Sequence, residues 1–382
     1  MNLQKEGIAL QKAVDTVNHN ILLKKLQHYG IKGIANDWFK SYLTDRVQFC
    51  SINGFNSEKK YMTYGVPQGS VLGPLLFLIY INDLNRAIKY SIVNHFADDT
   101  NLFNSHSSLK SLQNRVNYDL KQLSKWLRAN KISLNASKTE VLIFTHKNKQ
   151  MAYRSKEGKL VPWELKIKID GKKIFPSPFV KYLGVIIDSK LNWKFHLEQL
   201  TVKLSRAIGM LAKIRHYVDK NTIIMIYHGI FSSIMQYALQ IWSQDSSIVS
   251  KIEKLQSKAI RIITFDRNSP IDTLFHTCGI LKICDSVKLL NFLFAHDTLK
   301  GNLPNKLCYW LIPKHTTYKF RSEVKNSILL FVPKIRTVTS GSNSIKYKSS
   351  KIWNEMITLL PKADVYKNHR TYCKDIRTKH FF

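Results

Sequence analysis

The stretch IVNHFADDTNLF, residues 92–103, decides how this chain is read. Apolar residues flank two adjacent aspartates, Asp98 and Asp99, which predicts two short strands around a tight turn. Neighbouring side chains in a strand point to opposite faces. At a turn both carboxylates reach the same space, and divalent cations there would relieve their mutual repulsion. An isolated Asp-Asp pair is most often a solvated turn, so its surroundings decide its meaning.

Working upstream, GVPQGS at 65–70 is a loop by composition, and the apolar run 71–81 follows it. Glycines beside Gln68 let a flat ring approach the backbone closely. Further back, Ile21, Leu22, Leu26 and Tyr29 share one face of a helix over 18–29, stopped by Gly30. Trp38, Phe39, Tyr42 and Leu43 continue a helical pattern. Residues 47–52 read as a strand ending at the hairpin signal Asn53-Gly54. Downstream, Leu109, Leu112, Val116, Leu120, Leu123 and Leu127 recur at steps of three or four, the stripe of a helix that starts near Ser107 and Ser108 and faces a core. Strands are predicted over 141–145 and 180–188, and a hairpin over 166–175 turning at Asp170-Gly171. Helices are expected over 197–217, 221–242 and 250–264. The loop at Asn268-Ser269-Pro270 marks a boundary, and Pro304, Pro313 and Pro333 break up the tail. The fold class is α+β.

The 382 residues are 44% hydrophobic and 22% charged, enough for two or three packed domains. Lys and Arg number 59 against 26 acidic residues, a formal charge of +33. Residues 1–150 hold 20 basic and 10 acidic side chains, and residues 151–382 hold 39 and 16. So strong a bias argues against a self-contained small-molecule enzyme and for a polyanionic partner, most simply nucleic acid. The basic helices around 203–220 and 251–261 are the segments expected to grip a polynucleotide backbone. Five scattered cysteines without a C-x-x-C pair exclude a disulfide scaffold or zinc ribbon, and His276, Cys278 and Cys284 read as core rather than as a metal knuckle. No signal peptide and no apolar run of about 20 residues is present, so no membrane is expected. A reducing, intracellular setting fits.

GVPQGSVLGPLLFLIYINDL at 65–84, FADDTNLF at 96–103, SLNASKTEVLIF at 133–144 and KYLGVIIDSKLNW at 181–193 resemble successive motifs of a reverse transcriptase. The version is similar to those of non-LTR, LINE-type, jockey-like or CR1-like retrotransposons, and the similarity runs through residues 7–215. That resemblance implies a right-hand polymerase, with a palm over residues 1–188, a helical thumb over 189–266 and a basic C-terminal region over 267–382. It implies addition of dNTPs to a DNA primer on an RNA template, with two Mg²⁺ (or Mn²⁺) ions in an in-line displacement. It implies metal-ligating, catalytic roles for Asp98 and Asp99 and a place near pyrophosphate for Lys138. Val14, Pro67, Gln68 and Gly69 would line the nucleotide and template pocket, and Tyr182, Leu183 and Gly184 would form the primer grip. Nuclear localisation follows only from relatives, and oligomeric state is left open.

The chain also departs from that pattern. The family's first motif reads like D-L-S-K-A-F-D-T-V-x-H, whereas ALQKAVDTVNH stands at 9–19. The register from Lys12 onward places Ala9 where a third metal-binding aspartate belongs, and a methyl group ligates nothing. Asp15 lies too far along the chain to substitute, and Glu6, three residues before Ala9, has the wrong strand parity. Val14 replaces a Phe that excludes the ribose 2′-OH. The chain starts almost at this motif, so fingers and an upstream endonuclease are expected to be missing. Polymerase ancestry with impaired or absent activity is the expectation, and the competing reading is an inactive nucleic-acid-binding remnant.

Overall fold

The structure, a computed structural model, describes residues 2–9, 13–134, 139–144, 152–154, 160–162, 166–314, 329–335 and 341–359. The chain separates into two compact units, Met1–Phe195 and His196–Phe382.

The first unit is built on an antiparallel four-stranded sheet. Strand β1 (Asn2–Ala9) leads into a single 3₁₀ turn, Ala13–Thr16, then helices α1 (His19–His28) and α2 (Ile34–Leu43). The Asn18 side chain caps α1 by accepting from the Ile21 N–H at 3.1 Å. Four two-residue strands follow, β2 (Val47–Gln48), β3 (Ser51–Ile52), β4 (Phe55–Asn56) and β5 (Lys60–Tyr61), so the strand expected over 47–52 is interrupted. Asn53 and Gly54 both take positive φ between β3 and β4, as the hairpin signal requires. The apolar run becomes α3 (Leu72–Ile81). Then come β6 (Ile92–Phe96), β7 (Asp99–His106), α4 (Leu109–Ala129) and β8 (Glu140–Phe144). The sheet order is β6-β7-β1-β8.

Helix α4 covers this sheet. Ser108 caps it, and its buried side chains Leu112, Val116, Leu120, Leu123 and Leu127 join Leu102 of β7 and Val141 and Ile143 of β8 in the main core. Lys25 of α1 ties the helices together. Its ammonium reaches Asp83 Oδ1 and the Tyr80 carbonyl, each at 2.6 Å, and lies 4.8 Å from the Tyr80 and Trp126 ring centroids. Burial pulls its pKa down, and Asp83 offsets part of that effect.

The strands β9 (Ala152–Arg154) and β10 (Leu160–Pro162) pair with each other, as do β11 (Ile167–Ile169) and β12 (Lys172–Ile174) around Asp170-Gly171. Residues 180–188, read as one strand, fold instead as a hairpin of β13 (Phe179–Tyr182) and β14 (Val185–Asp188). Positive φ at Leu183 and Gly184 makes the reversal, and an alternation pattern alone does not show such a break.

The second unit is helical. Helix α5 (Lys194–Ile214) covers most of the segment expected over 197–217, starting and ending three residues earlier. The helix expected over 221–242 is broken: α6 (Lys220–Tyr227) passes through a π turn at His228–Ser232 into α7 (Ser233–Gln236), and Ala238 at φ 51° separates α8 (Leu239–Trp242). Helices α9 (Ser246–Thr264), α10 (Ile271–Cys278), α11 (Ile283–Lys300), α12 (Asn305–Cys308) and α13 (Ile345–Leu359) complete it. Gln256, fully buried on α9, binds the Tyr227 hydroxyl, the Leu281 carbonyl and the Ile283 N–H, at 3.1, 2.9 and 2.8 Å. Trp353 of α13 stacks on Phe292 of α11 at 4.9 Å, so part of the basic tail packs into a core. Among the described residues no helix is long and apolar enough to cross a membrane.

Candidate active site

The carboxylate pair sits at the tip of the β6–β7 hairpin. Phe96 pairs with Asp99, leaving Ala97 and Asp98 as the two-residue turn. Ala97 takes φ 51°, the left-handed conformation such a turn needs. Asp98 and Asp99 are both exposed. One step back, His95 bridges to Thr100 across the hairpin, Nδ1 to Oγ1 at 3.1 Å, and burial pulls its pKa down and favours the neutral ring. Its Nε2 is buried and has no hydrogen-bond partner among the described residues.

Two other segments converge on this tip. Strand β1 runs antiparallel to β7, and its last residue, Ala9, stands directly opposite Asp99. Directly opposite residues have Cβ atoms about 5 Å apart, close enough for two side chains to share one cation. Glu6 pairs with Leu102, three positions along the same strand, about 10 Å from Ala9. Tyr182, at the end of β13, is the third element. Burial pushes the Tyr182 phenol up, and the nearby Asp99 charge adds to the effect. The structure thus brings Asp98, Asp99, the Ala9 position and the Tyr182-Leu183-Gly184 turn into one neighbourhood.

The 65–70 loop is held by the segment that follows β1. Gly65 N–H donates to the Val17 carbonyl at 2.8 Å, and Val66 N–H to that of Val14 at 3.1 Å. His19 Nε2 donates to the Gly65 carbonyl at 2.7 Å. A Cβ on Gly65 would lie 2.9 Å from the Asp15 carbonyl oxygen, so only glycine allows this approach, and at φ 87° only glycine adopts it comfortably. Gln68 Nε2 donates to Asp15 Oδ1 at 2.7 Å, which gives Asp15 a defined partner. The Ser70 hydroxyl donates to the Pro67 carbonyl and accepts from the Gly73 N–H, starting α3. Gly69 has φ 78°, and Val14 is half-buried against the main core. Lys138 lies outside the described residues.

Sequence reasoning missed Asp119. This carboxylate is fully buried on α4 and accepts from the N–H groups of Lys89, Tyr90 and Ser91 and from the Ser91 hydroxyl, at 2.7–3.2 Å. It fixes the bend from which β6 starts. The only hint in the sequence is an acid bordering the apolar stripe of α4.

The family described as "Reverse transcriptase (RNA-dependent DNA polymerase)" matches residues 8–187. The chain is 28% identical over 277 residues to the "Probable RNA-directed DNA polymerase from transposon BS" of Drosophila melanogaster, covering 67% of this chain. It is 26% identical over 267 residues to the "RNA-directed DNA polymerase from mobile element jockey" of the same fly, again 67% of this chain. Residues 8–187 match the reverse transcriptase family, and the chain is similar to the RNA-directed DNA polymerases of non-LTR retrotransposons.

In both relatives the match spans 28% of the other protein's length. Among solved structures, apo telomerase from Candida tropicalis aligns over 72% of this chain and 45% of its own, with TM-score 0.34 and 11% identity.

The second unit presents its own basic cleft, a space of about 990 Å³ between α5 and α9 lined by Arg215, His216, Lys254, Lys258, Arg261 and Arg267. Arg261 is partly spent inside the fold, donating to the carbonyls of Asp266, Arg267 and Ser269. Cys278 is buried and Cys284 half-buried; burial pushes the Cys284 thiol up to about 11, which suits core cysteines. Among the described residues no three His, Cys, Asp or Glu side chains come together as a metal site.

Proposed function

We propose that this chain is an RNA-directed DNA polymerase domain whose catalytic hairpin and nucleotide loop are in place and whose chemistry is curtailed at Ala9. The observation that carries this is the register: Ala9 stands opposite Asp99, at the position where a third carboxylate would complete a cluster at the β6–β7 tip. Two Mg²⁺ or Mn²⁺ ions would activate a primer 3′-hydroxyl and neutralise the leaving pyrophosphate. The donor set present, two adjacent carboxylates with an alanine at the paired position of the neighbouring strand, does not fit two ions. Asp15 is engaged by Gln68 and does not supply the missing oxygen.

In this reading Asp98 and Asp99 are the surviving metal ligands. Pro67, Gln68 and Gly69, fixed on Val14 and Asp15 by the contacts above, line the pocket for template and incoming dNTP. Tyr182, Leu183 and Gly184 hold the primer end, and Lys138 belongs near the pyrophosphate. The boundaries proposed are a palm over 1–188, a thumb over 189–266 and a basic region over 267–382. The α5–α9 cleft grips the phosphate backbone of the RNA–DNA duplex, since its arginines and lysines line one space. A nuclear site of action follows from the retrotransposon relatives.

The test is extension of an oligo(dT) primer on poly(rA) with Mg²⁺ and with Mn²⁺. The chain as it stands extends weakly or not at all. Ala9→Asp raises extension at least about a hundredfold, the scale of one lost group that stabilises transition-state charge, and Asp99→Ala abolishes the gain. A folded Ala9→Asp protein that extends nothing sinks the reading of a curtailed polymerase and leaves the inactive nucleic-acid binder.

A further inference from the structure

A second basic groove lies in the first unit, behind α4. The β11–β12 hairpin is fastened to the outer flank of α4 by amide side chains. Gln113 Oε1 accepts from the Lys166 N–H at 2.9 Å, Asn117 Oδ1 accepts from the Lys168 N–H at 3.0 Å, and Asn117 Nδ2 donates to the Lys166 carbonyl at 2.9 Å. Asp170, at the turn, is held by Arg128 at 2.7 Å and by the Ser124 hydroxyl. These bonds leave a groove of about 560 Å³ lined by Lys121, Lys125, Arg128, Lys168 and Gly171.

The groove is electropositive. Its one carboxylate, Asp170, is matched by Arg128. Lys121, Lys125 and Lys168 have no acidic partner among the described residues. Lys121 and Lys125 stand one helical turn apart, about 6 Å along the axis, a spacing that suits neighbouring phosphates on one strand.

An aromatic shelf adjoins the cations. Tyr118 falls on the same exposed face of α4 as Lys121 and Lys125. The residue is 43% exposed and its ring meets Tyr90 edge-on, with centroids 5.5 Å apart at 73°. The Tyr90 ring, itself partly open to solvent, has Arg115 and Lys89 each 5.3 Å from its centroid. Tyr118 therefore has one aromatic neighbour and a side chain open to solvent, with Lys121 and Lys125 on the same helix face. A charged track beside an exposed aromatic is the arrangement that binds single strands, with phosphates on the cations and a base on the ring.

We infer that the outer face of α4 and the β11–β12 hairpin form a binding track for single-stranded nucleic acid, distinct from the Asp98–Asp99 hairpin. The apolar face of α4 packs on the sheet that carries Asp99, so the helix itself separates the track from that hairpin. The track serves strand that is not paired in the polymerase site: template before it is copied, or nucleic acid displaced from a duplex. It goes beyond the polymerase reading and does not depend on Ala9.

The experiment is fluorescence anisotropy of labelled 20-mer oligo(U) and oligo(dT) with the full chain over a salt titration. Lys121→Gln/Lys125→Gln/Lys168→Gln is compared with a control carrying the same charge change at exposed Lys24, Lys32 and Lys40. The track variant weakens binding by about tenfold, and its log–log salt slope is shallower by about 2, as expected for three lost phosphate contacts on a single strand. The three Lys→Arg changes at the same positions restore both, which excludes misfolding as the cause. Tyr118→Ala weakens binding about fivefold or more with the slope unchanged. Equal loss in track and control variants would overturn the inference. So would a track-variant loss with Tyr118→Ala matching the parent protein, because that pattern describes an acidic peptide site. Preference between oligo(U) and oligo(dT) tells which strand uses the track and supports it either way. Primer extension by Ala9→Asp reads the hairpin and the salt slope reads the track, so failure of one is separable from failure of the other.

Discussion

Asp119 and the Asp98–Asp99 pair occupy opposite extremes of what a carboxylate meets in this chain. Asp119 is fully buried in the first unit, and four donors from residues 89–91 surround it. Asp98 and Asp99 stand exposed at the tip of the hairpin that those same residues lead into. A buried carboxylate is tolerated only where its oxygens are saturated, and it then acts as a fixed anchor. An exposed pair at a turn contributes little to folding, and its carboxylates stand where solvent and cations reach them. The anchor serves the pair: by fixing the start of β6, Asp119 sets where the tip lies.

That contrast can be broken by substitution. Asp119→Ala leaves four donors without their acceptor and is expected to lower the unfolding free energy by about 3 kcal/mol, measured by urea denaturation. Asp98→Asn in the same assay stays within about 0.5 kcal/mol of the parent, as a surface change should. Comparable losses at the two sites would mean that the hairpin tip is structural. Gly65→Ala tests the loop held on the segment that follows β1. Its new methyl would meet the Asp15 carbonyl oxygen at 2.9 Å in a left-handed conformation, which costs about 2 kcal/mol; a melt unchanged from the parent would show that loop 65–70 is looser than its contacts imply.

The smallest effect expected is on pH dependence. Burial lowers the pKa of His95, and burial with the Lys203 charge lowers that of His196, both from an ordinary value of 6.5. Below 6.5 the unfolded chain takes up protons that the folded chain refuses, so stability falls as the solution is acidified through that window and recovers above it. Thermal melts are expected to be lower at pH 5 than at pH 7.5, and the gap narrows in a His95→Gln/His196→Gln variant. An equal gap in the variant would assign the acid sensitivity to other groups.

Much of the fold was legible in the sequence. Helices α1, α4 and α9 follow from stripes such as Leu112–Val116–Leu120–Leu123–Leu127, because a helix on a core must repeat its apolar residues every three or four positions. The hairpins at Asn53-Gly54 and Asp170-Gly171 follow from residue pairs that accept positive φ. The Asp98–Asp99 turn was legible for the same local reason, although Ala97, not a glycine, carries its positive φ. The breaks were not legible. Leu183 and Ala238 take left-handed conformations that their types disfavour, so only surrounding contacts impose them. Asp119 was missed because a charge beside an apolar stripe looks solvated until its partners, some 30 residues away, are folded against it.

Local pattern alone determined the order of helices and strands in this protein, the pair of aspartates between two strands, and the alanine at position 9. Those are properties of residue type and spacing over a few turns of chain. Folding decided that Ala9 stands opposite Asp99, that Tyr182 lies near the same carboxylate, that Gln68 is tied to Asp15, and that Lys168 and Lys125 line one groove. Each of these joins residues between 40 and 90 positions apart. Strand register and helix-to-hairpin packing bring such residues together, and they are set by the shared burial of distant apolar faces, which no short window of sequence contains.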